Sequence, residues 1–454
     1  MSKSIIIDPI TRISGFLEIT ANLEKNEVAD VETSGLLYRG FEKILEKKPP
    51  LDAVFLTERI CGICSAAHSI ASSMAIENAL EIKVDINDMY LRDIIHGFEF
   101  IQNHLRQFYL FTVPSYVRLP HVSPLYQNDY TDYRIPEKIE KVISDNYIKG
   151  IEMSRLAHEG EAVLGGKAPH NHGVFPGGVT TTIDSYKISK VKSIIKSLSE
   201  FISNNMMEDM DIISDYYSDY FKKGKSYNNF LSFGVFNNYN EEDITYIKSS
   251  VIIEGKYNEF SKDKISEDIR YSYYEDGKVN LDKENSYTFI KAARYDGLPM
   301  EVGPLARLIL SGEYIMRSSC MDRNRARVIE TEKIINIMDK MINRVKIMEN
   351  NQGIYNFEGS LIGFGLTDTT RGALYHSIEI ENSIIKRYNI ITPTVWNLSP
   401  KGSDGVYGTV EKSLMGTKIN DMKNPVEIGR IVRSYDPCVS CATHVLNRDY
   451  RACT

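Results

Sequence analysis

The chain has 454 residues, 42% of them hydrophobic and 25% charged, enough for a substantial core and, on length alone, for two or three domains. A net charge of −7 with no basic face excludes nucleic acid as the main partner, because phosphate binding needs clustered cations. No apolar run approaches the roughly 20 residues needed to cross a bilayer, and the short apolar stretch after Met1 does not read as a signal peptide, so a cytoplasmic location is expected for the chain by itself.

Residues 4–35 alternate as strands do, with Ile13, Phe16, Leu17, Ile19 and Ala21 ahead of the turn-like Glu24-Lys25-Asn26-Glu27, and predict a small β element. Gly40 opens a helical run, Phe41 to Leu45, which the Pro49-Pro50 pair ends because proline lacks the N–H that continues a helix. Glu42 falls in its first turn. Small residues at helical spacing from Ser65 to Ala79 predict a helix that starts just after Cys64, and its free amides and positive dipole end favour thiolate over thiol there. A further helix is expected from Met89 to Leu110, carrying His96, Asn103 and His104, and Gly165 to Gly178 reads as a loop. Residues 185–285, rich in Tyr, Ser, Asn, Lys and Asp, are expected at the periphery as a long helix followed by irregular strands and turns. Helical periodicity returns from Leu305 to Asn350. Tyr388 to Leu398, interrupted by Pro393, reads as an irregular buried strand. No repeat or low-complexity linker divides the chain, so 1–454 is expected to form one domain.

The chemistry concentrates in the cysteines. Four of the six form two Cys-x-x-Cys pairs: Cys61 and Cys64 in Arg59-Ile60-Cys61-Gly62-Ile63-Cys64, with His68 a turn further on, and Cys438 and Cys441 in the run from Asp436-Pro437 to His444. Scattered cysteines in a large chain without a leader do not read as a disulfide framework. A structural zinc clip usually keeps its pairs within roughly 15–20 residues of each other, whereas these lie near opposite ends of the chain. A thioredoxin-like redox pair needs a βαβ setting that neither has. Two buried, inert pairs are a third possibility. The remaining reading is four thiolates on one transition metal, a soft donor set suited to nickel, iron or zinc, with Asp436 and His444 beside it. Pairs so far apart can meet only if the whole fold wraps around their meeting point.

These two motifs resemble the signatures of the large subunit of nickel-iron hydrogenases. Further matches are Asp8-Pro9-x-Thr11-Arg12-Ile13, Tyr38-Arg39-Gly40-Phe41-Glu42, Gly166-Lys167-x-Pro169-His170, Pro176-Gly177-Gly178-Val179, Pro299 to Pro304, Arg371-Gly372-Ala373-Leu374 and Pro393-Thr394-x-Trp396-Asn397. The resemblance spans nearly everything except residues 185–285. It implies a mainly α fold with small β elements (α+β), a helical bundle around a buried metal site. It also implies that Cys61, Cys64, Cys438 and Cys441 bind nickel, with Cys64 and Cys441 bridging to an iron that carries carbonyl and cyanide ligands. Glu42, His444 and the carbonyl of Leu398 would hold magnesium or another hard cation. Arg371 would face the open side of the metals, paired with Asp436, and Cys438 would take the proton when dihydrogen is cleaved heterolytically. The chain has no spare cysteine cluster, so the resemblance implies an iron-sulfur small subunit as electron acceptor and partner. That subunit could carry an export signal and take this chain across a membrane or to its surface. Maturation proteins are implied as well, and the resemblance makes 445–454 a candidate extension for a protease to remove after His444, with a permanent tail as the alternative.

Three positions depart from the family pattern. Ser14 stands where a proton-moving glutamate is usual, Asn103 where an aspartate is common, and Thr370 where a proline precedes the arginine. Serine can relay a proton through its hydroxyl and a water but cannot hold one as a titrating base, so Glu58 or water is expected to substitute. The same changes leave room for a slow, hydrogen-sensing regulatory subunit. A quinone-binding scaffold without metal is a further alternative, against which the four cysteines speak. His68 is read either as a satisfied helix histidine or as a contact to a thiolate, while His104, His170 and His172 are read as structural. Cys320 and Cys453 are given no role.

Overall fold

Alternation in the first 35 residues becomes an antiparallel meander: β1 (Lys3–Ile7), β2 (Leu17–Glu24) and β3 (Glu27–Gly35) pair in that order. A computed structural model describes residues 3–120, 130–275, 278–349 and 353–442. After β3 come α1 (Phe41–Leu45) and α2 (Asp52–Glu58), with Glu42 buried in the first turn of α1. Next are α3 (Ser65–Leu80), α4 (Ile86–Arg106) and the 29-residue α5 (Glu137–Gly165). α4 stops earlier than its periodicity predicts, and a π-helical turn, Gln107–Thr112, takes over.

The segment expected at the periphery begins with α6 (Ser185–Phe201) but then enters the core. β4 (Phe230–Val235) is buried at every residue and pairs with β5 (Ile247–Ile253). Its one polar side chain, Ser232, is itself buried and donates to Asp368, so no solvent-facing side marks it as a strand. α7 (Pro304–Leu310) and α8 (Cys320–Ile342) account for the later helical periodicity.

A second meander, β6 (Ser360–Thr369), β7 (Gly372–Glu381) and β8 (Ile384–Ile391), pairs antiparallel in sequence order. The expectation of one irregular strand from Tyr388 to Leu398 is corrected here. The strand ends at Ile391, and Pro393 opens α9 (Pro393–Asn397) at its first turn, where the missing N–H costs nothing. The chain then reaches α10 (Val426–Ser434) and α11 (Val439–Ala442). The result is a mixed fold, mainly helical, with small antiparallel sheets.

α3 is buried on almost every side, which a helix of Ser and Ala allows, and its back lies against β6. The approach is so close that a Cβ on Gly365 would sit 1.9 Å from the Ala71 carbonyl oxygen, and one on Gly363 would sit 2.0 Å from that of Ala75. Neither obstacle is a flexible side chain. Gly365→Ala is therefore expected to push α3 off the sheet, costing about 3 kcal/mol, whereas Gly353→Ala, whose methyl would meet nothing within 4 Å, should be neutral. Thermal unfolding of the two variants checks this; equal midpoints would contradict the contact.

Candidate metal centre

The two cysteine pairs converge. Cys61 Sγ lies 3.5 Å from Cys438 Sγ, Cys64 Sγ 3.6 Å from Cys441 Sγ, and Cys438 Sγ 2.8 Å from Cys441 Sγ. Sulfurs bound at about 2.3 Å to one tetrahedral ion would stand about 3.8 Å apart, so the donor set fits a shared soft metal. All four are at most 3% exposed. Ile63 donates its N–H to Cys61 Sγ at 3.2 Å, and hydrogen bonds from Cys441 and Cys61 lower the Cys64 thiol to about 6. For Cys438 the bond with Cys441 acts downward, but the bond with Cys61 and burial outweigh it, and the thiol is pushed up to about 11.

Backbone and side-chain bonds hold the two loops together. Arg39 gives one guanidinium nitrogen to Ile60 O and Ser440 O and another to Arg59 O, so a single side chain ties the loop before Cys61 to the loop between Cys438 and Cys441. Thr394 Oγ1 accepts from Cys438 N, and Thr392 Oγ1 donates to Cys441 O, both at 3.0 Å. Ser14 pairs with Cys438 in a parallel bridge, its carbonyl accepting from Val439 N at 2.8 Å and its N–H donating to Pro437 O at 3.3 Å. Glu99 on α4 accepts from Ala66 N and Ala67 N at 2.6 and 3.1 Å, satisfying two free amides of α3. Sequence reasoning missed Arg39 and Glu99 as individual residues; the signal for Glu99 was a carboxylate on the buried face of a long helix.

Arg371 sits on the β6–β7 turn. Its Nε donates to Asp436 O at 2.8 Å, and its Nη2 to Asp436 Oδ1 at 3.2 Å and to Asn103 Oδ1 at 3.1 Å. Nη1 is buried and has no partner among the described residues. Asn103 also donates to Asp436 Oδ2 and accepts from Arg106, so it links two arginines and an aspartate without adding charge. Asp436 carries a φ of 52°, a left-handed backbone that its bonds hold in place. Arg307 fixes the turn from behind through Asp368, Thr369 O and Thr370 O. A Cβ on Gly372 would stand 2.6 Å from Gly303 N, so the turn presses directly on the loop that precedes α7. Desolvation opposes the Arg371 charge, but Asp436 and the cysteines outweigh it and hold its pKa well above the usual value.

Of the expected hard-cation ligands, Glu42 is buried. Its Oε1 accepts from Ile390 N at 2.7 Å, and Oε2 is without a partner among the described residues. Burial, partly offset by Lys291, raises its carboxyl to about 8. A buried carboxylate oxygen left open fits a hard cation. Leu398 is fully buried at the C-terminal end of α9. His444, the tail 445–454 and Cys453 lie outside the described residues. His104 is structural, bonded to Glu330 beside Arg307. His170 holds Ser65 Oγ through its backbone N–H, and His172 stands edge-on to Phe55. Cys320 is buried against Tyr116 and Arg430 O. His68 comes within 4.8 Å of the Cys64 and Cys441 sulfurs, and burial lowers its pKa to about 3.

The family model described as Nickel-dependent hydrogenase matches residues 39–123 and 113–444, both cysteine pairs included. The chain belongs to the nickel-dependent hydrogenase family. The large subunit of the periplasmic [NiFeSe] hydrogenase of Desulfomicrobium baculatum is 31% identical over 98% of this chain and 95% of its own. The Hydrogenase-2 large chain of Escherichia coli is 26% identical over 99% of this chain and 98% of its own. The solved structure of the Ni-Fe-Se hydrogenase of D. vulgaris Hildenborough in the reduced state superposes with a TM-score of 0.92 at 32% identity, over 98% of this chain and all of that one. Two of these relatives are named for selenium; this hydrogenase large subunit has cysteine at all four converging positions.

Three buried carboxyls surround the α3 end of the hydrogenase site. Glu58 and Glu161 are each raised to about 8, chiefly by burial, and Glu99 is raised as well. Among the described residues, both oxygens of Glu58 and Oε1 of Glu161 lack partners. A folded pKa raised above the unfolded one means that Glu58 and Glu161 each subtract stability as pH rises from about 4.5 to about 8. Glu161→Gln should flatten that slope in thermal midpoints across the window; an unchanged slope would mean that Glu161 is ionised in the fold. Arg39→Ala, which unties the two cysteine loops, should lower nickel content per chain several-fold by elemental analysis. Full nickel occupancy would show that the loops hold without it.

Proposed function

We propose that this chain binds a nickel-iron centre and catalyses reversible heterolytic cleavage of dihydrogen, passing electrons to an iron-sulfur small subunit. The observation that carries the reading is the convergence of four buried sulfurs, two from each end of the chain, next to an arginine with an unpartnered Nη1. Cys61, Cys64, Cys438 and Cys441 would hold the nickel, and Cys64 and Cys441 would also hold an iron bearing carbonyl and cyanide. Glu42 Oε2, the Leu398 carbonyl and His444 would hold magnesium or a similar ion. When bound, the nickel-iron centre supplies the electron-accepting half of the cleavage.

The chain's own residues do the rest. Cys438 Sγ takes the proton, and Arg371 Nη1 orients dihydrogen from the open side, with Asp436 holding the guanidinium in place. Burial keeps water away from the reacting atoms. Ser14, held against Cys438 by backbone bonds, passes the proton on through its hydroxyl and a water, toward carboxyls such as Glu58 that can hold one near neutral pH. Departure of electrons requires the small subunit, because no other cysteine cluster exists among the described residues. Among those residues no helix is long and apolar enough to cross a membrane, and the compartment follows whatever leader the small subunit carries. Cleavage after His444 would leave that residue as the terminus, and intact mass of nickel-loaded protein reads it directly.

A hydrogen-sensing subunit is the second reading, favoured by the neutral Asn103 and Ser14. Infrared spectroscopy of the purified two-subunit complex tests the main reading: carbonyl and cyanide bands are expected, and their absence from nickel-loaded protein would reject it. Fast hydrogen-dependent reduction of an artificial acceptor would separate enzyme from sensor. Ser14→Glu, which installs a titrating base, is expected to raise hydrogen–deuterium exchange; an unchanged rate would mean that proton release is not limited at this position.

A further inference from the structure

Arg106 is the last residue of α4 and lies one turn beyond Asn103, so the two side chains leave the helix on the same face. None of the roles above uses its charge. Its Nη2 donates to Asn103 Oδ1 at 2.7 Å, and the same oxygen accepts from Arg371 Nη2 at 3.1 Å. One shared acceptor thus brings two guanidinium groups side by side. Arg106 Nε is buried without a partner among the described residues, and among those residues Arg106 makes no ion pair. The carboxylate bonded to this network is Asp436, which pairs with Arg371 and accepts from Asn103 Nδ2.

An arginine in the last turn of a helix ordinarily complements the dipole by bonding the final carbonyls. Arg106 instead gives Nη2 to a fully buried side chain that also holds Arg371 and Asp436. The Asn103 amide accepts from both cations and contributes no charge, so two guanidiniums meet one carboxylate and one positive charge is left over. Burial and then Arg371 lower the pKa of Arg106, while Asp436 and the sulfurs of Cys61 and Cys438 act the other way. Guanidinium and sulfurs therefore lie within each other's field, and arginine keeps its charge there. His158 adds no charge of its own, because burial and then Arg106 lower its pKa to about 4. In a site shielded from water, attraction between the excess cation and the thiolates is weakly screened.

We propose that Arg106 is a second fixed cation of the metal centre, held beside Arg371 by Asn103, and that its charge raises the reduction potential of the metals bound by the four cysteines. The proposal rests on the reading of those cysteines as ligands of a redox-active nickel. A cation at a fixed distance stabilises the state that holds one more electron, so its removal makes reduction harder. Asn103 is the positioning residue: a neutral amide holds both guanidiniums, whereas a carboxylate there would cancel the second one.

The test uses the nickel-loaded two-subunit enzyme. It reads the midpoint potential of nickel by paramagnetic resonance at poised potentials, together with the carbonyl and cyanide infrared bands. Both readouts come from loaded centres alone, so partial loss of nickel in a variant does not obscure them. Arg106→Gln keeps an amide that can donate to Asn103 Oδ1 but carries no charge; the midpoint is expected to fall and the bands to move to lower frequency. Arg106→Leu should shift both at least as far. Arg106→Lys, which keeps the charge, should stay close to the unsubstituted enzyme. An unmoved midpoint in Arg106→Gln overturns the proposal. So does an Arg106→Lys that shifts as far as Arg106→Gln, because the bonding of the guanidinium rather than its charge would then set the potential. If the unsubstituted enzyme held nickel but showed no carbonyl or cyanide bands, the reading of the iron ligands would fall instead, and the nickel titration would still decide the role of Arg106.

Discussion

Everything in this fold serves the requirement that two loops from opposite ends of the chain meet in a dry interior and stay within bonding reach of one ion. The sulfurs stand 2.8 to 3.6 Å apart, which requires the backbones of both loops to be placed against each other. Closing so long a loop is less costly than it looks, because closure entropy grows only with the logarithm of length. The harder task is to fix two irregular loops against each other. Arg39 does this from one side, the Ser14–Cys438 bridge from a second, and Thr392 and Thr394 of the β8–α9 junction from a third.

Around that point the protein buries many charges, and several are held in ion pairs. Arg307 meets Glu330 and Asp368, Arg323 meets Glu301, Arg92 meets Glu77, and Arg371 meets Asp436. Buried pairs of this kind are weak contributors to net stability but costly to break, since removing one partner leaves a lone charge in low dielectric. Their effect here is geometric. Arg307 binds the turn that carries Arg371, and Glu99 closes the amide end of the helix that follows Cys64. Each reactive side chain is thus held by a partner whose own position is fixed by at least two bonds. Asn103 fits this pattern without adding a negative charge: it makes the bonds an aspartate could accept from both arginines and adds one as a donor, leaving Asp436 as the carboxylate that pairs with Arg371.

Much of the site was legible in the chain itself. Paired cysteines, an arginine followed by glycine, and a glutamate in the first turn of a short helix are local patterns, and the structure brings these residues to buried positions. The first β meander and α3 were legible for the same reason, through alternation and helical spacing of small residues. What escaped reading depended on partners distant in sequence. β4 is buried on both faces, Ser232 included, so it shows no alternation of apolar and polar residues. β6 is cut by Gly363 and Gly365, whose purpose, to let α3 approach to backbone contact, exists only once the helix is there. Tyr388 to Leu398 looked like one strand because a proline marks equally well the end of a strand and the start of a helix.

The sequence by itself determined which side chains are present and their type: four soft sulfurs, an arginine followed by glycine, and at Ser14 a hydroxyl that does not titrate. Those are properties of side chains, and no packing alters them. Only the tertiary structure decided that Asn103 joins Arg371 to Asp436 and that Arg39 ties the two cysteine loops. Each of these depends on the direction of a hydrogen bond between residues hundreds of positions apart, and direction belongs to the assembled fold.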